Sequence, residues 1–325
     1  MVFLNDRLTH AQHNRVDKQN TRNAESATNN AESATNNARG PQHMSEELTI
    51  GYSPCPNDTF MFYALMHGRI PLRHIRFTEP QLEDVETLNT WALSGRLDVT
   101  KLSFHALGHV LDKYTMLQSG AALGCGCGPL LVAKAGQGGQ SKNDPAAWSI
   151  AVPGRYTTAA LLLKLFLPDH TKIIIMRFDE IMRAVAAGEV DGGVIIHESR
   201  FTFQNHGLVC VQDLGAWWEQ DTGLPIPLGC IAARRTMSPQ AVAETEQAIT
   251  ASVQWAYRHQ EQCASYIKLH AQELDDQVIS SHIKLYVNSF SADMSDKGRA
   301  AAQELLRRGR EAGIFANNAA SGIEQ

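Results

Sequence analysis

The sequence predicts an α/β protein built of two lobes, and three observations lead to that fold class. From Leu48 onward, short apolar runs alternate with helical stretches in strand, turn, helix order, the succession that builds parallel sheets. One short pattern then occurs twice, at Gly95–Ser103 and at Gly188–His197. Beyond Arg235 the chain becomes helical, with apolar residues every three or four positions.

In chain order, Leu48–Tyr52 reads as a strand, SPCPND (53–58) as a turn, and Thr59–His67 as an apolar helix closed by Gly68. Val85–Leu93 is a helix ending at Gly95, and Leu97–Leu102 a strand. Ser149–Val152 is a strand, PGRYTT (153–158) a turn, and Ala159–Leu167 a helix. The repeated pattern is a helix stop, one charged residue, an aliphatic–Asp pair and an apolar strand. The first copy ends at Ser103 and the second at His197. Two similar lobes would bring these strand ends to one crevice, where open α/β sheets bind ligands. Pro225-Ile-Pro227-Leu-Gly229 is expected as a stiff return linker, and 133–145 as an outward surface segment. Pro239–Leu269 and Asp275–Gly313 are expected as long helical stretches packing on the first lobe. The larger lobe is then 44–135 plus 228–325, and the smaller is 136–227.

Composition narrows the function classes. The chain has 325 residues, with 29 Lys+Arg against 34 Asp+Glu and a formal charge of −5. That mild balance argues against nucleic acid and against a polybasic membrane contact. The longest apolar stretch, Ala159–Leu167, is interrupted by Lys164, while a membrane-spanning helix needs roughly 20 residues. Residues 1–43 differ from the rest. Between Leu8 and Met44 the one large aliphatic or aromatic residue is Val16, and AESATNN occurs at 24–30 and again at 31–37. Such a segment cannot bury enough apolar area to offset the ordering of its backbone, about 1–2 kcal/mol per residue. It reads as a disordered leader with Met44 as a second candidate start, and it has no apolar core of about 7–15 residues that would direct secretion. A cytoplasmic location is expected. Six scattered cysteines include one close pair, Cys125 and Cys127, whose C-x-C spacing is neither a zinc nor a thioredoxin pattern. Reduced thiols and no metal are expected.

Four places hold candidate chemistry. In SPCPNDTF, Asn57, Asp58 or Thr59 can cap the following helix. In VPGRYTTA, Gly154 permits a tight turn, and Thr157 or Thr158 can cap the next helix. The open N–H groups of Thr158 and Ala159 would then suit a carboxylate. Lys101-Leu102-Ser103 adds a cation and a hydroxyl at a strand end. His197-Glu198-Ser199-Arg200 places four polar groups after a buried strand. His197 is either a general base, since imidazole titrates near neutrality, or an ordinary strand-end histidine. Adjacent residues of an extended segment face opposite ways, so Glu198 is not expected to share the direction of His197. The run Leu123-Gly-Cys-Gly-Cys-Gly128 suits close backbone approach.

The two-lobed, twice-crossed architecture resembles periplasmic-binding-protein-like (type II) folds with a cleft between the lobes. SPCPNDTFMFYALMHGRI, LEDVETLNTWALSGRLDVTKLS, VPGRYTTA, IIHESRFT, DLGAWWEQDTGLPIPLG and YVNSFS together resemble the 1,4-dihydroxy-6-naphthoate synthase family of the futalosine route to menaquinone. The resemblance runs through 48–315, in order. It implies a cofactor-free lyase that splits cyclic dehypoxanthine futalosine. It places the proton acceptor on His197 and the substrate contacts on Lys101, Leu102, Ser103, Thr157, Thr158 and Ala159. The implied partner is a small carboxylate substrate. The alternatives are the chorismate dehydratase of the same pathway and a non-catalytic carboxylate-binding protein.

Overall fold

A computed structural model describes residues 45–136, 144–271 and 275–315. The leader 1–43 and most of the expected surface segment 133–145 lie outside the described residues.

Two mixed sheets organise the chain. The first runs in the order Gln81–Leu82, Ile50–Tyr52, Val99–Ser103, Ile226–Arg234, Tyr114–Met116, with Ala122–Gly124 also paired to Ile226–Arg234. The second runs Ile173–Ile175, Ile150–Val152, Gly192–Ile195, Leu130–Lys134, Leu208–Asp213. The strands joined through helices are parallel, as expected: Ile50–Tyr52 pairs this way with Val99–Ser103, and Ile150–Val152 with Gly192–Ile195. Leu130–Lys134 and Ile226–Arg234 are antiparallel to their neighbours. A parallel pairing needs a crossover connection, usually a helix, and these two strands enter their sheets without one. Leu130–Lys134 belongs to the second sheet although the expected boundary placed it before 136.

The repeated pattern has a structural counterpart. Asp98 accepts hydrogen bonds from the Thr49 amide at 2.9 Å and hydroxyl at 2.7 Å. Asp191 accepts the same pair from Ser149, at 2.9 and 2.8 Å. Each aspartate pins the start of a central strand to the start of its parallel neighbour. The helix before each copy stops at a left-handed glycine, Gly95 and Gly188, where a side chain would be strained. Ser103 ends the first central strand as expected, whereas the second ends at Ile195 and His197 follows two residues beyond it.

Three sequence expectations change. Ile226–Arg234 is a nine-residue strand and not a linker. Pro227, which lacks an N–H, sits where the pairing with Ala122–Gly124 shifts register, the kind of irregularity that accommodates proline. The helix Pro56–Met66 starts earlier than expected, with Cys55 at its N-cap and no capping side chain. The C-terminal stretches are segmented. His259 separates Pro239–Arg258 from Gln260–His270, and Asp276–Tyr286, Ser289–Ala292 and Ser295–Glu311 follow. Their apolar faces bury Ile249, Val253, Ile267 and Ile279 against Phe60, Met61 and Ile50 of the first sheet's layer. A second core joins residues of both sheets, among them Leu102, Leu123, Leu131, Val152 and Val194.

Candidate active site

Ser103 at one strand end, Ile196 and His197 just past another, the N-terminal turns of Pro56–Met66 and Thr158–Phe166, and the inner face of Asp276–Tyr286 surround one cavity, partly open to solvent. Lys101, Ser103, Thr157, Thr158, Ala159 and His197 all line it. Leu102 does not. Side chains alternate along a strand, so Leu102 turns away from its neighbours and is buried in the core.

His197 leaves the Gly192–Ile195 strand in a left-handed backbone conformation, φ 56°. Non-glycine residues adopt that region rarely, with histidine among the more tolerant types. The turn keeps His197 from continuing the strand's alternation and carries Glu198 toward the Asp276–Tyr286 helix, 3.8 Å from the His282 ring. The His197 Nδ1 meets the Cys55 sulfur at 3.5 Å, and Phe178 stands edge-on to the ring at 5.2 Å. Burial pushes the imidazole below its ordinary pKa, opposed by the Glu198 and Asp58 carboxylates. The ring is therefore neutral near pH 7, the form that accepts a proton. The Cys55 thiol is pushed up by the same burial and stays protonated.

Lys101 is paired rather than free. Its ammonium lies 2.6 Å from Asp58, and the two side chains are 7% and 0% exposed. Asp58 also accepts from the Ser53 hydroxyl at 2.8 Å and the Asn57 amide at 2.7 Å. Asp58 and Asn57 thus serve the cavity and not a helix cap. Ser103 receives a hydrogen bond from Asn89 on its hydroxyl oxygen at 3.1 Å, which leaves the hydroxyl hydrogen for a bound molecule. Thr157 caps Thr158–Phe166 by accepting from Ala160 N. Thr158 donates its hydroxyl to Leu228 O at 2.6 Å and accepts from Phe104 N at 3.0 Å. Its hydroxyl is committed to the protein, and its contribution to the cavity is its backbone N–H. The N–H groups of Thr158 and Ala159 open the helix and have no intrahelical acceptor, so they and the helix dipole form the anion-favouring corner.

Sequence reasoning offered Asn57 and Asp58 as helix caps and missed Cys55, His282 and Tyr286. His282 and Tyr286 stand four apart on one helix face with rings 4.6 Å apart, and that spacing was the available signal. The glycine–cysteine run lies beside the cavity. Cys127 lines it, with a thiol pushed up to about 12 by burial. Gly128 packs on the start of helix Leu214–Thr222, where a Cβ would fall 2.3 Å from Gly215 Cα. The close approach is therefore backbone to backbone. Arg200 holds this corner through Asp213 at 2.8 Å and through Gly128 O. Among the described residues, no group of three or more His, Cys, Asp or Glu side chains could hold a metal ion. Among those residues, no helix is long and apolar enough to cross a membrane.

The two sheets, the crossing strands and the cavity between them define the class: a two-lobed, periplasmic-binding-protein-like α/β fold. Solved structures agree. The chain superimposes with a TM-score of 0.75 and 35% identity on a protein of Archaeoglobus fulgidus, covering 85% of this chain and all of that one. The periplasmic aliphatic sulphonate binding protein of Escherichia coli gives 0.58 at 12% identity over 84% and 89% of the chains, a likeness of fold alone. Within that class, a family model described as menaquinone biosynthesis matches residues 48–311, and the chain belongs to this family of enzymes. It is 48% identical to a 1,4-dihydroxy-6-naphthoate synthase of Thermus thermophilus, over 83% of this chain and 97% of the relative. A synthase of the same name from Streptomyces coelicolor is 43% identical, over 83% and 95%.

Proposed function

We propose that the protein is a cofactor-free lyase converting cyclic dehypoxanthine futalosine to 1,4-dihydroxy-6-naphthoate, with His197 as the proton acceptor. The observation that carries the proposal is the placement of His197. It is a ring kept neutral by burial, set by a left-handed turn against the cavity that the resemblance assigns to substrate. The base takes a proton next to the substrate's carbonyl system, and the electron pair left behind drives cleavage of the ring. Aromatisation of the product supplies driving force, so one positioned base is sufficient. The substrate carboxylate sits on the N–H groups of Thr158 and Ala159, and Ser103 donates its hydroxyl hydrogen to it. Lys101 acts as part of the Asp58 pair and not as a free cation. The site is proposed to act in the cytoplasm.

The fold is also that of solute carriers, which gives the non-catalytic reading its support. Incubation of the purified protein with the cyclic substrate, followed by mass detection of the naphthoate, separates the readings. Turnover supports the lyase. Binding without turnover leaves the carrier, and water loss from chorismate would identify the dehydratase.

A further inference from the structure

We infer that His282 is a specificity-determining residue whose Nδ1 accepts a hydrogen bond from a hydroxyl or N–H of the bound molecule. This deepens the proposed function and rests on it for the identity of the donor.

A chain of hydrogen bonds from Lys101 through Asp58 and Asn57 to His282 leaves no freedom in its members. The Lys101 ammonium fixes Asp58 at 2.6 Å, and an ionised carboxylate only accepts. Asn57 approaches Asp58 Oδ1 at 2.7 Å, so the amide must present its NH₂ there. The other end of that amide, Oδ1, then faces His282 Nε2 at 2.9 Å. An amide oxygen is an acceptor, so Nε2 carries the hydrogen. In the neutral ring, Nδ1 is consequently a lone pair. Burial and the neighbouring His197 and Lys101 keep the ring neutral, well below the ordinary histidine pKa.

That lone pair is unanswered. His282 is 0% exposed, it lines the cavity, and its Nδ1 has no hydrogen-bond partner among the described residues. The nearest charged group, Glu198, stands 3.8 Å away, beyond hydrogen-bond reach and itself an acceptor when ionised. A buried polar atom without a partner is costly, and here the fixed tautomer leaves it on a ring that lines the cavity beside His197, the two rings lying nearly parallel with centroids 6.2 Å apart. A donor on the bound molecule satisfies the atom. Hydroxyl groups suit this role, and the proposed product carries two. A ligand lacking a donor at this position leaves the acceptor unpaired and is discriminated against.

Two substitutions separate the ligand-binding role from a structural one. His282→Gln places an amide N–H where Nε2 was, keeping the bond to Asn57 and deleting the acceptor. His282→Asn places an amide where Nδ1 was and gives up the bond to Asn57. We expect His282→Gln to keep a near wild-type Tm while raising KM about 10-fold. His282→Asn should lower Tm yet hold KM within about 3-fold. A wild-type KM in His282→Gln, or a larger KM rise in His282→Asn, overturns the inference. Nitrogen-15 NMR of histidine-labelled wild-type protein provides the second readout. The His282 Nδ1 signal should report an unprotonated nitrogen that moves when the naphthoate is added. A proton on Nδ1 in the free protein, or a signal indifferent to saturating naphthoate, also overturns it. If the wild-type protein fails to turn over the cyclic substrate, the proposed function falls, and the NMR readout still decides the tautomer and the contact.

Discussion

Lys101 and Asp58 form a buried ion pair at the floor of the cavity, joining the central strand of the first sheet to the first turn of helix Pro56–Met66. The pair anchors Ser53, Asn57 and, through Asn57, His282. Its role is to orient the polar wall of the cavity.

Removing one partner strands the other charge. Asp58→Ala should therefore cost about 3–5 kcal/mol of stability, a loss visible in chemical denaturation. Lys101→Met combined with Asp58→Leu should recover much of that stability while leaving KM raised, because Asn57 no longer fixes the His282 tautomer. A single Asp58→Ala variant as stable as wild type would mean that the pair is not closed in solution.

Thr158 ties three segments together through its hydroxyl. Thr158→Val leaves Leu228 O without its donor and Phe104 N without its acceptor. Unpaired buried groups cost about 1–3 kcal/mol each, so the variant should melt several degrees lower. Thr158→Ser should restore most of the loss. Equal Tm values for the valine and serine variants would remove the hydroxyl from this role.

How much of this was legible beforehand depends on sequence distance. The repeated pattern could be read because each copy is local: a helix stop, an aspartate and a strand. The strand end at Ser103 and the turn carrying His197 followed from it, while the VPGRYTTA turn offered Thr157 or Thr158 as the cap, and Thr157 takes that role. Asp58 could not be placed the same way. In a proline-rich turn it looks like a cap, and its real partner lies 43 positions further along the chain. His282 meets Asn57 across 225 positions, and nothing local marks it beyond the spacing to Tyr286. Pro225–Gly229 misled for another reason. Paired prolines read as a linker unless the neighbouring strand shifts register to receive them.

Buried neutral histidines give the protein a specific acid sensitivity. His105 donates from Nδ1 to Thr157 O at 3.1 Å, and burial lowers its pKa to about 3. In the unfolded chain it titrates at about 6.5. The unfolded state therefore binds the extra proton between those values, and folding stability drops as pH falls through that window. The slope is about 1.4 kcal/mol per pH unit for this one group. Denaturation of His105→Gln from pH 7 to 4 should show a shallower decline than wild type by about that amount. Identical slopes would place His105 in contact with solvent.

The central claim concerns His197, and the kinetics of His197→Asn test it most directly. Asparagine tolerates the left-handed backbone at this position, so folding and Tm should be preserved. It has no imidazole to accept the proton. Turnover of the cyclic substrate should fall about 10²–10⁴-fold with KM changed little. In the wild-type enzyme, kcat/KM should rise with pH through an apparent pKa below the ordinary histidine value, as burial of the ring requires, and that limb should vanish in the variant. His67, exposed at the end of helix Pro56–Met66, is the control, and His67→Asn should behave as wild type. A His197→Asn enzyme with near wild-type kcat would show that another group takes the proton.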